Sequence, residues 1–527
     1  MASTPRVRFA PSPTGNVHIG NIRAAIFNWL FARHNGGQFL LRVEDTDLER
    51  STPEAIETLL EAMAWLGLTY DEAPMYQSKQ LERHMEVVSR MIADGYAGKK
   101  DGGPTILHLD GALLDPSFVT EPRDDVKVDV SKGELFVTER GVDYVTHGSD
   151  GREYHNPISR DAMPGLTVEM ESGDVVPGEA LLSGVPGSAE AALSGKAKTL
   201  HFRRRYVYYD DIVLGRLEKP LDSIRDLVIV RSDGSPVFHL ANVVDDIDQG
   251  VTHILRGNDH VENTYRHLFI FRAMGKTPPK YGHFPMIVNA KGKPYSKRDG
   301  DAYVGDFKSK GYLPECLFNF LALCGWGRED GVEIMTKEDM IAHFDLSRVS
   351  SSAAQLNLEK LAWMNGQYLS AMRPADLAPL VKEELEREGV AVGSIDNDWL
   401  GRLIVLEQER LKTIKDFVAN TRYFFTGSVD LDPKAVDKVL RKNDGAGFAI
   451  LEGLGKAFAQ VGEWNAPALE KAALAYGESQ GLKLGDLAHP LRVALTGGTV
   501  SRGIWETVDL LGRERTLARI GAAVAIR

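Results

Sequence analysis

Cysteine is nearly absent: two residues, Cys316 and Cys324, in 527. That excludes a disulfide framework and a zinc site built from several thiolates, and fits thiols buried in a reducing compartment. No apolar run approaches the roughly 18 residues that a spanning helix needs, so no membrane partner is expected. The opening Met1-Ala2-Ser3-Thr4-Pro5-Arg6 lacks the apolar core of a secretory signal, which points to a cytoplasmic protein. Internal repeats and low-complexity linkers are also missing. Basic charge is in deficit: 62 Lys and Arg face 74 Asp and Glu, a formal net charge of −12. An acidic whole argues mildly against a nucleic-acid partner, but a large protein can carry a local basic stripe. What is present, 43% hydrophobic and 26% charged residues, is the composition of a soluble globular chain, and its length implies several domains.

The N-terminal stretch alternates strand and helix. Arg6–Ala10 has strand character and runs into the turn-rich Pro11-Ser12-Pro13-Thr14-Gly15-Asn16. Apolar residues then recur at helical spacing from about Gly20 to Arg33, until Gly36-Gly37 stops the helix. Gln38–Val43 is a short buried strand, and Ser51-Thr52-Pro53-Glu54 starts a helix reaching about Leu66. Such alternation predicts a parallel sheet covered by helices, with ligands beyond the carboxyl ends of its strands. From about Gly98 to Gly195 glycine, aspartate and serine are frequent and strand-like pieces such as Glu134–Val137 are short. This reads as a strand-rich insert. The α/β pattern returns at Asp226–Val230 and Val251–Leu255. After about Gly305 the periodicity is helical, as in Cys316–Leu323, Asp376–Glu388 and Leu400–Asn420.

Three groups of residues could carry chemistry. In Arg8 to Asn21, a strand and a proline-fixed turn lead to His18-Ile19-Gly20-Asn21 at a helix start, where N–H groups and the helix dipole favour an anion. His18 can donate to a phosphate oxygen, and Gly20 lets a flat base approach the backbone. The loop Gly292–Gly300 carries Ser296-Lys297-Arg298 between glycines, and a cation there suits the charge that grows on phosphate oxygens during phosphoryl or nucleotidyl transfer. Alone, either string would pass for an ordinary helix start or a solvated basic turn. Arg402, Arg410, Lys412, Lys415 and Arg422 lie along one predicted helical stretch ending in Tyr423-Phe424-Phe425, with Lys434, Lys438, Arg441 and Lys442 beyond. Cations with aromatics suit phosphate contact and base stacking, although a solvated face with a packed aromatic end is the plainer alternative.

The string from Arg8 to Asn21 resembles the "HIGH" signature of class I aminoacyl-tRNA synthetases, in the form used by bacterial glutamyl-tRNA synthetases. The likeness continues at Arg23–Arg33, Arg42-Val43-Glu44-Asp45-Thr46-Asp47, Arg231–Pro236, His239–Asp246, Thr252–Gly257, Ser296-Lys297-Arg298 and Pro490–Gly497, and covers most of the chain outside the insert. It implies a doubly wound, Rossmann-like α/β catalytic domain with an inserted α+β domain, followed by an all-α tRNA-reading half. The implied domains are catalytic over 1–97 and 226–304, an acceptor-binding insert over 98–225, a helical stem-contact domain over 305–372 and a helical anticodon-binding domain over 373–527. The implied reaction is ATP-dependent activation of L-glutamate and its transfer to the end of tRNA-Glu, with tRNA-Gln open as a second acceptor. In the family, tRNA usually binds before glutamate is activated.

By the same resemblance His18 and Lys297 are catalytic, and ATP meets His18, Gly20, Asn21, Ser296, Lys297 and Arg298. Glutamate meets Arg8 and Arg256, since an anionic side chain calls for guanidinium groups, with Ser12, Phe238 and Asn242 beside them and Glu44 on the ammonium. Arg410, Lys412, Lys415 and Arg422 are the tRNA candidates. Mg2+ is expected with ATP. No cysteine lies between Met1 and Lys310, so the zinc that some relatives hold in the insert is not expected. A monomer is expected. The chain departs from the family pattern at Pro294 and Tyr295, where a lysine and an apolar residue are usual, at Phe238, where tyrosine is common, and at Asn258, where an acid is usual. Asp259 and His260 are expected as neighbours of the pocket. A glutaminyl-tRNA synthetase would have β-barrels in place of the helical half. A tRNA-modifying paralogue would lack that half. A nucleotidyltransferase would explain only the first domain, and a non-catalytic tRNA-binding relative would have no need of His18, Lys297 and Arg256.

Overall fold

The computed structural model describes residues 4–46, 51–99, 102–138, 140–149, 151–182 and 196–527. Met1 to Ser3 of the opening, Asp47 of the second motif and residues 183–195 of the insert lie outside the described residues. The chain forms two compact units, Met1–Gly305 with Leu321–Leu356, and Asp306–Phe320 with Asn357–Arg527.

In the first unit β1 (Arg6–Phe9) pairs in parallel with β2 (Gln38–Val43), and β2 with β3 (Met75–Tyr76). The intervening helix α1 (Ile19–His34) is buried nearly all round, more than a one-faced helical pattern implies. Asn28 is anchored inside the unit, its Nδ2 donating to the carbonyls of Ala24 and Leu255 at 2.8 and 2.9 Å. Helix α2 (Pro53–Trp65) begins at Thr52, which caps Ala55 N–H, with Pro53 in the first turn. Helix α3 (Leu81–Ala93) follows. After the insert come α4 (Phe238–Asp248), β4 (His253–Gly257), α5 (Val261–Ala273) and β5 (Lys280–Phe284), with β4 and β5 parallel. The two ladders meet where Thr252 N–H donates to the Arg6 carbonyl at 2.9 Å, so β1 and β4 start side by side. A crevice at the junction of two such halves is where open α/β sheets bind ligands.

The insert is strand-rich. Asp124–Asp129, Thr167–Met170, Val175–Pro177 and Ala197–Arg204 form one antiparallel sheet, and Glu134–Thr138, Gly141–His147 and Glu153–Ser159 form another. Val168, Leu200, Phe202, Leu135 and Val142 belong to a core of their own. One expectation is corrected here. Leu227–Val230 does not resume the parallel sheet; it pairs antiparallel with Thr105–Leu107. A four-residue apolar run has no period that fixes its partner. The strand Tyr206–Asp211 pairs with Gly215–Pro220 in a hairpin and touches β5 in parallel at Asp211 and Tyr281, which carries an acidic residue into the sheet.

The second unit is helical among its described residues, its helices running from Leu358 to Val524 after the segment Asp306–Phe320. The expected continuous helix over Leu400–Asn420 is broken. It ends at Glu407, passes through a 3-10 turn at Gln408–Arg410 and restarts at Ile414. The Asp416 carboxylate accepts the N–H groups of Lys412 and Thr413, at 2.9 and 2.8 Å, and so starts the new helix where apolar periodicity alone runs through.

Candidate active site

A cavity of about 450 Å3 opens at the carboxyl ends of β1 and β4. The chain reaches it first through the turn after β1, which ends at His18. His18 is extended (φ −72°, ψ 141°) and caps α1: its Nδ1 accepts the Gly20 N–H at 3.1 Å. A ring whose Nδ1 accepts carries its proton on Nε2. Burial lowers the His18 pKa, against a hydrogen bond to the Tyr295 backbone, so the ring is a neutral donor. A Cβ on Gly20 would stand 3.2 Å from His18 Nδ1, so the glycine also protects the cap. The turn is tied down by Ile19 N–H to the Ala302 carbonyl and Val304 N–H to the Val17 carbonyl. Behind it, buried Arg23 donates to the carbonyls of Cys324 (2.8 Å) and Pro285.

The floor is a buried charge network. Arg8 on β1 donates to both oxygens of Asp246 on α4, at 2.9 and 3.4 Å. Arg42 on β2, fully buried, donates to Asp246 at 2.6 Å and to Glu44 at 3.2 Å. Burial would raise the Asp246 carboxyl, but Arg42 and Arg8 hold it below the ordinary range. Glu44 goes the other way: burial raises it in spite of the same arginines. Its Oε1 accepts from Asn242 Nδ2 at 2.7 Å. That bond orients the amide and leaves Asn242 Oδ1 buried without a partner, a carbonyl oxygen that lacks a donor. Asp245 beside it is bonded by Gln77 and His84, each at 2.7 Å.

Arg256, at the end of β4, is different in kind. Its Nη2 donates to Thr264 Oγ1 (2.8 Å) and the His260 carbonyl (3.3 Å), and its Nε to His283 Nε2 (3.2 Å). Burial holds its guanidinium below the ordinary value, and neighbouring Arg8 adds to that. Among the described residues no carboxylate lies within ion-pair distance of it. The imidazoles around it stay neutral. Burial first, and then nearby arginines, press His239 and His260 to about 4 and His267 well below its usual value. The cavity therefore holds a buried cation lacking an anion.

Of the residues singled out above, Arg8, Ser12, His18, Gly20, Asn21, Glu44, Phe238, Asn242 and Arg256 line this cavity, as do Asp259 and His260. Ser296, Lys297 and Arg298 do not. They sit on a hairpin in which Tyr295 N–H donates to the Ile287 carbonyl and Asp299 accepts from Asn289 and Ser296. Lys297 and Arg298 are exposed, while Pro294 and buried Tyr295 face the cavity. A larger cavity of about 1020 Å3 lies in the helical unit, where Arg402 is already paired with Asp509 and Lys382 with Asn397.

Comparison with known proteins agrees with this geometry. The family described as tRNA synthetases class I (E and Q), catalytic domain, matches residues 5–105 and 194–363, and an anticodon-binding domain family matches 376–524. A glutamate–tRNA ligase of Thermodesulfovibrio yellowstonii is 35% identical over 517 residues, covering 98% of both chains. One from Xanthomonas campestris pv. campestris is 36% identical over 524 residues, covering 99% of this chain and 98% of its own. The chain belongs to the glutamate–tRNA ligase family of class I synthetases. Among solved structures, a glutamate tRNA ligase from Elizabethkingia meningosepticum, in complex with its amino acid, superposes with a TM-score of 0.74 at 26% identity over 99% of each chain.

Membership in this synthetase family gives the second unit its context. Arg410, Lys412, Lys415 and Arg422 are all exposed there. Lys415 lies 3.7 Å from Glu384 and Arg422 3.9 Å from Glu388. The aromatic end is packed rather than open: Phe424 is buried, and Trp399 meets Phe424 and Phe425 edge-on. Arg42, Asp246, Asp211, Thr264 and His283 are the groups that sequence reasoning left without a role. Asp246 and Arg42 stand inside quoted motifs, but nothing local shows that they meet. Asp211 and His283 are 72 positions apart and carry no motif signal.

Proposed function

We propose that this chain is an ATP-dependent glutamate–tRNA ligase that esterifies L-glutamate to the 3′-terminal adenosine of tRNA-Glu. The observation that carries the choice of amino acid is Arg256, a buried guanidinium in the cavity with no acidic partner among the described residues. A side-chain carboxylate supplies the missing anion, and Arg8, half committed to Asp246, flanks it. Glu44 and the unpaired Oδ1 of Asn242 receive the ammonium. Ser12 and Phe238 complete the glutamate pocket. The Phe238 ring, lacking a hydroxyl, contributes contact only.

The α-carboxylate of glutamate then attacks the α-phosphorus of ATP and displaces pyrophosphate. The neutral His18 carries its proton on Nε2 and exchanges the Tyr295 backbone for a phosphate oxygen, beside the N-terminus of α1, Gly20 and Asn21. Lys297, with Ser296 and Arg298, swings in on its exposed hairpin once the nucleotide offers it an anion. Among the described residues no group of three or more His, Cys, Asp or Glu could hold a metal. Mg2+ would come with the nucleotide, bound mainly by phosphate oxygens and water, where it neutralises phosphate charge. Positioning and electrostatics supply most of the rate. A ribose hydroxyl of the tRNA finally takes the glutamyl group. The insert over 98–225 holds the acceptor end, 305–372 the stem and 373–527 the anticodon, with Arg410, Lys412, Lys415 and Arg422 on the phosphates. No helix among the described residues is long and apolar enough to cross a membrane, and we assign a cytoplasmic monomer.

The test is charging of purified tRNA-Glu and tRNA-Gln with labelled glutamate, beside Lys297→Ala. We expect glutamyl-tRNA-Glu, with the variant slower by about 100-fold or more, the scale of losing one group that stabilises transition-state charge. Tight tRNA binding without charging of either tRNA contradicts the proposal.

A further inference from the structure

Arg256 is held by a chain of buried groups to which the proposed reaction gives no part. Asp211 arrives at the end of Tyr206–Asp211, beside β5. Its Oδ1 accepts three backbone N–H groups, from Val213 and Leu214 at 2.9 Å and from His283 at 3.2 Å. Its Oδ2 lies 2.6 Å from His283 Nδ1. Burial would raise the Asp211 carboxyl, but these bonds hold it below the ordinary range, so it accepts and His283 Nδ1 carries the proton. The Nε2 lone pair of His283 therefore faces Arg256 Nε and Thr264 Oγ1, each at 3.2 Å. Thr264 Oγ1 in turn accepts from Arg256 Nη2 at 2.8 Å. Asp211, His283 and Thr264 are all buried. With Nε and Nη2 engaged, only Nη1 of Arg256 lacks a protein partner among the described residues.

We propose that Asp211 and His283 are positioning residues: by fixing the Nδ1–H tautomer they aim the free edge of Arg256, and with it the preference for a carboxylate over a carboxamide side chain. This rests on the assignment of Arg256 to the glutamate side chain. In the opposite tautomer, His283 Nε2–H and Arg256 Nε–H would confront each other, and the guanidinium would have to turn away from its present plane.

Asp211→Asn reverses the tautomer without changing shape. The three N–H donors at Oδ1 oblige the asparagine oxygen to stay there, so its Nδ2–H faces His283 Nδ1 and moves the ring proton to Nε2. We expect KM for glutamate to rise about tenfold or more, the cost of one charge-assisted hydrogen bond, and the discrimination against glutamine to fall. KM for ATP and the unfolding midpoint should stay near those of the parent enzyme. His283→Gln places an amide oxygen near Nε2 and should keep KM for glutamate within about threefold. In that background Asp211→Asn should add little, because no tautomer remains to reverse. His283→Asn lacks the acceptor and should behave like Asp211→Asn. If Arg256→Gln raises KM for glutamate but Asp211→Asn does not, the relay is wrong and the assignment of Arg256 stands. If Arg256→Gln leaves that KM unchanged, the assignment fails and takes the relay with it. Parallel changes in both KM values and the midpoint would reduce Asp211 to a fold residue and also overturn the proposal.

Discussion

Single residues here act through where their protons sit. His18 gives Nδ1 to its own helix and so keeps its proton on Nε2, where the Tyr295 backbone accepts it, a consequence of one 3.1 Å bond from Gly20. Around Arg256 the histidines bear no charge. His239 and His260 are pressed from 6.5 to about 4, chiefly by burial and then by arginines. The sign of the linked stability follows. The unfolded chain takes up these protons near 6.5, while the folded chain resists to about 4, so stability is full above 6.5 and declines as pH falls between those values. The unfolding midpoint should therefore start to drop below about pH 6.5, above the carboxylate range, and His239→Gln should flatten the decline. Denaturation followed from pH 7.5 to 4.5 checks this, and a wild-type midpoint that is flat down to pH 5 would contradict it.

Elements show where sequence patterns suffice and where they do not. The helix start at Ile19–His34 was legible because a proline-fixed turn and His-x-Gly are local signals, and Gly36 with φ +59° ends the helix as its position predicts. The Leu400–Asn420 stretch was misread, because a side chain three residues into the second helix restarts the backbone ladder and apolar spacing does not register it. Leu227–Val230 was recognised as a strand but not by its partner, since pairing is decided by residues more than a hundred positions away. The break at Leu411 also bears on tRNA. It sets Lys412 in an exposed turn, with no acidic partner among the described residues, whereas Lys415 and Arg422 lean on Glu384 and Glu388. Lys412→Ala should raise KM for tRNA and lower the slope of log affinity against log salt by about 0.7–0.9, one phosphate contact, without changing KM for ATP. An unchanged salt slope would remove Lys412 from the interface.

At the scale of the whole molecule, a net charge of −12 is compatible with membership in a tRNA-ligase family, because a local basic stripe suffices to meet phosphates on an acidic whole. Most of the cavity lining was legible as motif residues, since they cluster at strand ends and helix starts, where short strings carry geometry. The groups that orient them were not. Asp246 serves two arginines from different strands, and Asp211 reaches His283 only after the insert has folded back through a hairpin. Neither pairing has a local signature. Arg256 is a buried cation of the cavity with no acidic partner among the described residues, so the deciding measurement is kcat/KM for charging tRNA-Glu with glutamate against glutamine, in the parent enzyme and in Arg256→Gln. The account predicts a preference for glutamate that falls by about 100-fold or more in the variant, as befits removal of a buried charge-assisted pair. A preference that survives the substitution would mean that another group reads the side chain, and would contradict the account.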